Sequence, residues 1–243
     1  MDEALVDDEV DYGDLPPSIE VDEVVLLYRH LLAHLGIGRL EQCIGEGAHG
    51  AVYRVERDGR VSAVKLTTDA DEAIASAHLV RKPCPNVVRV YRVAALPDTV
   101  LEEDLAQWFV IERELLDLPA ERDAKILYAI WQLYEDDERL MVPTGGRMLD
   151  RWRERLRDML PTTEIKRAIW ILQHVGAGAR ELAELGLEWS DLHDQNVMRR
   201  PGSHYVIADP GPGVMTGWRQ NRPIRIPAIR TSWRPGAAID ATS

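Results

Sequence analysis

Four short stretches of this chain carry residue types suited to phosphate and hydroxyl chemistry. The first is Gly45-Glu46-Gly47-Ala48-His49-Gly50-Ala51-Val52, a Gly-x-Gly-x-x-Gly pattern. Without a Cβ, glycine lets backbone N–H groups come close to phosphate oxygens. The second is Ala63-Val64-Lys65, one of only four lysines (with Lys82, Lys125 and Lys166) beside 25 arginines. An ammonium in an apolar strand is costly unless paired. Facing water it is an edge lysine; facing a cleft it is a compact cation for phosphate oxygens. The third is Asp191-Leu192-His193-Asp194-Gln195-Asn196, and the fourth is Val206-Ile207-Ala208-Asp209-Pro210-Gly211. An acid, an amide oxygen and a second acid on consecutive loops can orient a nucleophile and hold Mg2+, which takes oxygen ligands. Each stretch has a plainer reading as a turn, and Asp-Pro-Gly is a common one.

The apolar patterning indicates what positions these residues. Strands are expected over 40–44, 51–56 and 61–66, with Asp58-Gly59 as a tight hairpin turn between the last two. The glycine pattern thus lies between two strands, not between a strand and a helix, which disfavours a dinucleotide-binding unit. Val52 would then face the base of a nucleotide. An Ala-rich helix is expected over 69–80, strands over 87–93 and 108–112, and helices over 120–135, 147–160 and 163–185. The last helix has Thr162 as its expected cap, and Ile165, Ile169, Leu172, Ala179 and Leu182 as its buried positions. Five strands followed by a helical unit make an α+β pattern. Nearer the start, Ser18 could cap a helix over 20–35 with Val21, Val24, Tyr28, Leu31, Leu32 and Leu35 on one stripe. His30 and His34 lie one turn apart there; no third ligand accompanies them, so they read as surface or core histidines.

The 243 residues carry a net charge of −12, and it is distributed as a gradient. Residues 1–23 hold ten acids and no base, residues 24–216 hold 30 acids and 24 bases, and residues 217–243 hold five arginines and one aspartate. The overall balance argues against a nucleic-acid or anionic-lipid binder held by bulk charge. Cys43 and Cys84 are too few for a disulfide scaffold and read as reduced, buried thiols. The acidic start has the wrong sign for a targeting leader, and no apolar run approaches the ~20 residues of a membrane span. A cytoplasmic protein with no membrane partner is expected.

In their order and spacing the four stretches resemble the protein-kinase-like superfamily over about residues 38–212. Asp191 to Asp209 spans 18 residues and Asn196 to Asp209 spans 13, as in that family. The resemblance implies a two-lobed α+β fold, with a five-stranded antiparallel N-lobe and a reduced, mainly helical C-lobe. It implies ATP and Mg2+ as cofactors. Gly45, Gly47 and Gly50 would cover the phosphates, and Val52 and Ala63 would sandwich the adenine. Lys65 would bind the α/β-phosphates, Asp191 would accept or orient the acceptor's proton, and Asn196 and Asp209 would hold the metal. The gate and hinge would fall at Ile111-Glu112-Arg113-Glu114, with the backbone of Glu112 and Glu114 bonding adenine. Glu72 is the leading partner for Lys65, followed by Asp71 and Asp69; a solvated helix N-terminus would favour the same acids.

Departures from the family pattern bear on the acceptor. Trp189-Ser190 replaces the usual His-Arg, so no arginine there reads a phosphorylated loop. His193 replaces the usual lysine, and Asp-Leu-His-x-x-Asn is similar to aminoglycoside phosphotransferases. Pro210 replaces the phenylalanine of Asp-Phe-Gly. Only 32 residues follow Gly211, without the helical subdomain that docks a peptide; this compactness is similar to bacteriophage-encoded kinase-like proteins, which would place the chain in a host cytoplasm. The resulting expectation is an acidic leader over 1–19, an N-lobe with an added helix over 20–114, a reduced C-lobe over 115–216 and a basic Trp/Arg tail over 217–243. That tail either folds back on acidic surface or, through 217–234, contacts nucleic acid or another acidic substrate. The expected activity is phosphoryl transfer from ATP to protein Ser/Thr/Tyr hydroxyls. The alternatives are a small-molecule kinase, and a catalytically weak module that binds and inhibits a partner protein. Acceptor and oligomeric state are not legible.

Overall fold

Residues 50–57 alternate in burial, with Ala51, Tyr53 and Val55 buried, as a strand facing two environments must. The computed structural model describes residues 36–47, 50–96, 107–137, 140–187, 189–211 and 226. The leader, the helix expected over 20–35 with His30 and His34, the loop tip at 48–49 and, apart from Ile226, the basic tail lie outside the described residues.

The described chain is a mixed α+β structure with a five-stranded antiparallel sheet and four helices. Strands β1 (Arg39–Gly47), β2 (Gly50–Arg57) and β3 (Arg60–Thr67) form two successive hairpins. Asp58 and Gly59 turn the second with φ of 52° and 74°, the left-handed values a two-residue turn of this kind demands. Helix α1 (Ala70–Arg81) follows, with the Asp69 carboxylate accepting from the N–H groups of Asp71 and Glu72. Strands β4 (Val90–Ala95) and β5 (Phe109–Glu114) complete the sheet in the order β1-β2-β3-β5-β4.

Helices α2 (Glu121–Asp136), α3 (Gly146–Leu156) and α4 (Thr162–Ala183) make the helical part. A short 3-10 turn (Asp194–Asn196) then leads into a small hairpin of β6 (Val197–Arg199) and β7 (Tyr205–Ile207). All five positions expected to be buried on α4 are buried. One apolar core runs from Leu79, Val93 and Ile111 through Ile130, Leu172 and Leu182 to Tyr205 and Ile207. Polar joints reinforce it. The Asn86 side chain and backbone N–H donate to Glu181 of α4 at 2.7 and 2.9 Å, and Ile207 N–H donates to Asn86 O at 3.0 Å. Gly178 permits that approach, because a Cβ there would stand 2.6 Å from Asn86 O.

Several boundaries differ from the sequence expectation. The fourth strand begins at Val90; Val87 instead makes a parallel bridge to Ile207. The fifth runs two residues further, to Glu114. Helix α3 ends at Leu156 rather than 160, giving way to a turn in which the N–H groups of Arg157, Asp158 and Met159 donate three residues back. Thr162 is the first residue of α4 and not its cap; extended Pro161 precedes it without a side-chain cap. Cys84 is buried, but Cys43 is exposed, because β1 is an edge strand. Both thiols are free. No helix among the described residues is long and apolar enough to cross a membrane.

Candidate functional site

Direct partners in an antiparallel ladder present their side chains on one face. Val52 opposes Lys65, Lys65 opposes Ile111, and Ala63 opposes Arg113. These five residues therefore share one face of the sheet. Val64, Ser62 and Glu112 lie on the other, where the Ser62 hydroxyl donates to Glu112 at 3.5 Å.

Lys65 is the centre of the site. Its Nζ lies 2.7 Å from Glu72 Oε2 and 2.8 Å from Asp209 Oδ2. Of the three candidate partners on α1, Glu72 makes this pair, while Asp69 caps the helix. Three elements distant in sequence thus meet at one ammonium: β3, the first turn of α1, and the segment after β7. Glu72 Oε1 is buried without a hydrogen-bond partner among the described residues and faces Arg113 Nη1 at 3.9 Å. Burial and the nearby Asp209 carboxylate push Glu72 up to about 7, outweighing Lys65 and Arg113. Burial would also raise Asp209, but Lys65 and Arg113 overcome it and hold that carboxyl below the ordinary value. The two carboxylates likewise overcome burial at Lys65 and raise its pKa.

Asp191 and Asn196 form a second pair. The Asn196 side-chain amide donates to Asp191 Oδ2 at 2.6 Å and to Asp191 O at 3.2 Å. Asp191 itself is exposed. Ala208 N–H donates to Asn196 O at 2.8 Å, which ties this pair to the residue preceding Asp209. With its N–H group spent on Asp191, Asn196 retains an amide oxygen as a donor to a cation. That amide oxygen and the Asp209 carboxylate are hard oxygens of the kind that Mg2+ takes.

The glycines behave differently from one another. Gly47 pairs with Gly50 across the mouth of the β1–β2 hairpin. At Gly50 a Cβ would collide with the backbone carbonyl of Leu66, so packing of β2 on β3 alone requires glycine. At Gly45 a Cβ would stand 4.0 Å from Val52, ordinary contact, so the fold does not require glycine there.

The segment expected to hold adenine sits deeper in the sheet than anticipated. Glu112 is within β5 between β3 and β4, and its side chain points away from Lys65. Glu114 N–H donates to Arg89 O at 2.9 Å, and its carboxylate pairs with Arg200 at 2.7 Å. The first residues beyond the strand are Leu115 and Leu116.

No family model matches this chain, and no curated protein matches it either.

Sequence reasoning gave no site role to four side chains. Arg113 is buried on the Lys65 face and donates to Ala208 O at 2.9 Å. It lies between Glu112 and Glu114 in the stretch expected to be the hinge, so it does not stand out as Lys65 does in its apolar strand. Trp189 is buried and its Nε1–H donates to Asp209 O at 3.0 Å. Trp131 of α2 packs on the His193 ring, with centroids 4.5 Å apart, and Tyr134 donates to Ser190 O at 2.7 Å. A separate concavity lined by Glu135, Asp136, Leu140, Arg151 and Arg155 shares no residue with the Lys65 site.

Proposed function

We propose that this chain is an ATP- and Mg2+-dependent phosphotransferase of protein-kinase-like architecture, with the sheet and α1 as one lobe and the helices as the other. The observation that carries this reading is the single ammonium of Lys65 held between Glu72 and Asp209. A buried lysine bonded to two carboxylates from separate elements is expensive as structure alone, since an apolar triad would fill the space at less desolvation cost. As chemistry it has a use, because phosphoryl transfer is mainly positioning and charge neutralisation.

In this reading the α/β-phosphates lie against Lys65, which Glu72 orients. Val52 and Ala63 contact the base, and the backbone of Leu115 and Leu116, just beyond β5, takes over the adenine-bonding role expected of Glu112 and Glu114. Gly45 and Gly47 leave room over the phosphates. Asn196 and Asp209 hold Mg2+, which when bound neutralises charge on the phosphate oxygens. Asp191 accepts the hydroxyl proton as the acceptor oxygen bonds to the γ-phosphorus. The bond from that phosphorus to the β-phosphate oxygen breaks, and ADP leaves with the electron pair.

The acceptor class proposed is a protein hydroxyl. A small-molecule hydroxyl is the second reading, supported by His193, whose ring rests on Trp131 two residues from Asp191 where an ammonium would otherwise stand. One experiment separates them: γ-labelled ATP and Mg2+ with and without cell lysate, beside Lys65→Ala and Asp209→Asn. Labelled protein that vanishes in both variants supports the first, and label confined to small molecules supports the second. Nucleotide binding with no transfer to anything would sink both and leave a kinase-like binding module.

A further inference from the structure

Pro210 rather than an aromatic residue follows Asp209. Two side-chain donors grip consecutive carbonyls of the segment that carries the aspartate. From the sheet side, Arg113 Nη1 donates to Ala208 O at 2.9 Å. From the helical side, Trp189 Nε1 donates to Asp209 O at 3.0 Å. Both donors are buried, with Arg113 8% and Trp189 5% exposed. Ala208 N–H is fixed to Asn196 O at 2.8 Å, and Gly211 N–H closes a turn on Asp209 Oδ1 at 3.0 Å. The backbone on either side of Asp209 therefore has little freedom, while the aspartate side chain is more than a quarter exposed at the cleft.

The side-chain donors are specific to the task. Arginine reaches across the sheet face, and its charge also stands 3.9 Å from Glu72 Oε1, which has no hydrogen-bond partner among the described residues. A neutral residue of similar length would leave a buried carbonyl and a buried carboxylate oxygen without a donor nearby. Trp189 offers a single N–H that can be removed without removing its bulk.

We propose that Arg113 and Trp189 are positioning residues for Asp209, clamping the peptide units on both sides of it so that its carboxylate is presented to Mg2+. They take over the work that an aromatic side chain after the aspartate would do by packing. The inference rests on the phosphotransferase reading above.

The test is the Mg2+ dependence of ATP binding, followed with a fluorescent ATP analogue, in the full chain and in Arg113→Met, Arg113→Lys and Trp189→Phe. The Mg2+ concentration for half-maximal binding should rise about tenfold in Arg113→Met and about threefold to tenfold in Trp189→Phe, the scale of one buried hydrogen bond. In Trp189→Phe, binding in EDTA should change by less than about twofold, because the lost bond is to the Asp209 carbonyl and not to Lys65 or Glu72. Arg113→Lys, which keeps the charge and a donor, should recover part of the loss. The double variant should fall short of the product of the singles, since both act on one segment. If Arg113→Met fails to fold, Trp189→Phe and Arg113→Lys decide. Wild-type Mg2+ half-points in folded variants overturn the clamp and leave the phosphotransferase reading intact. Absence of nucleotide binding by the unmodified chain removes that reading, and the clamp's purpose with it.

Discussion

Lys65 Nζ is 2.7 Å from Glu72 and 2.8 Å from Asp209, so one ammonium is shared between two carboxylates. Lys65→Met should therefore destabilise the protein by about 3 kcal/mol, the lower end for orphaning a buried charge because Asp209 keeps some access to water. Urea denaturation at pH 7.5 measures this. The penalty should shrink at pH 5, where Glu72 is protonated.

A pH dependence of stability follows from Glu72, raised from 4.5 to about 7 in the folded state. Between those values the folded protein holds a proton that the unfolded chain has released, so stability falls as pH rises through the window. The expected decline between pH 5 and pH 7.5 is about 1–3 kcal/mol. Asp209 acts oppositely: its lowered pKa contributes stability above 3.8 that is lost on strong acidification. Lys65 contributes stability that is lost only above 10.5. Urea midpoints across pH 5–8 should show the decline in the wild type and its flattening in Glu72→Gln. An unchanged slope in that variant would remove Glu72 as the cause.

Asp191 is exposed and held by Asn196 at 2.6 Å, and under the proposed function it accepts the acceptor's proton. Asp191→Asn keeps the shape and removes the charge. In the labelled-ATP assay the transfer rate should fall by about 10²–10⁴ while nucleotide affinity stays within about twofold.

Gly45 and Gly50 should part company on substitution. Gly50→Ala drives a methyl into the Leu66 carbonyl, which no rotamer change relieves, and should cost more than about 2 kcal/mol in thermal or urea unfolding. Gly45→Ala meets only Val52 at 4.0 Å and should change stability by less than about 0.5 kcal/mol. Under the proposed function the Gly45 variant should nonetheless bind ATP more weakly. Equal ATP affinity with and without that methyl would show that phosphates do not lie over residue 45.

Much of this was legible because the signals were local. Val52, Ala63 and Lys65 sit two or more residues apart on strands whose period is two, so their common face followed from spacing and hairpin register. Glu72 was identifiable as one of three acids at the start of an Ala-rich helix, but only tertiary packing decides among Asp69, Asp71 and Glu72. The N–H groups that Asp69 caps took it out of contention. The reach of β5 was not legible, because Ile111-Glu112-Arg113-Glu114 read as the gate and hinge with the strand ending at Glu112. In the structure Glu112 is neutralised from across the sheet by Arg92 at 3.7 Å and Glu114 by Arg200, so charged residues continue the ladder. The burial of Trp189 and Arg113 depends on contacts with a segment some 20 and 95 residues away in sequence, which no local pattern encodes.

The joints between sheet and helical part have an uneven distribution. Asn86 meets Glu181, Val87 meets Ile207, Glu114 meets Arg200 and Asp117 meets Arg199, all at the β4–β5 end. Arg200 alone also ties the Pro85 and Val87 carbonyls to that margin. At the opposite edge β1 pairs with β2 and with no other strand. The molecule is thus bound like a book along one spine, and the glycine hairpin is its fore-edge. Under the proposed function a nucleotide would enter from that side, and fixing β1 to the helical part would trap it or shut it out without altering Lys65, Asp191 or Asp209.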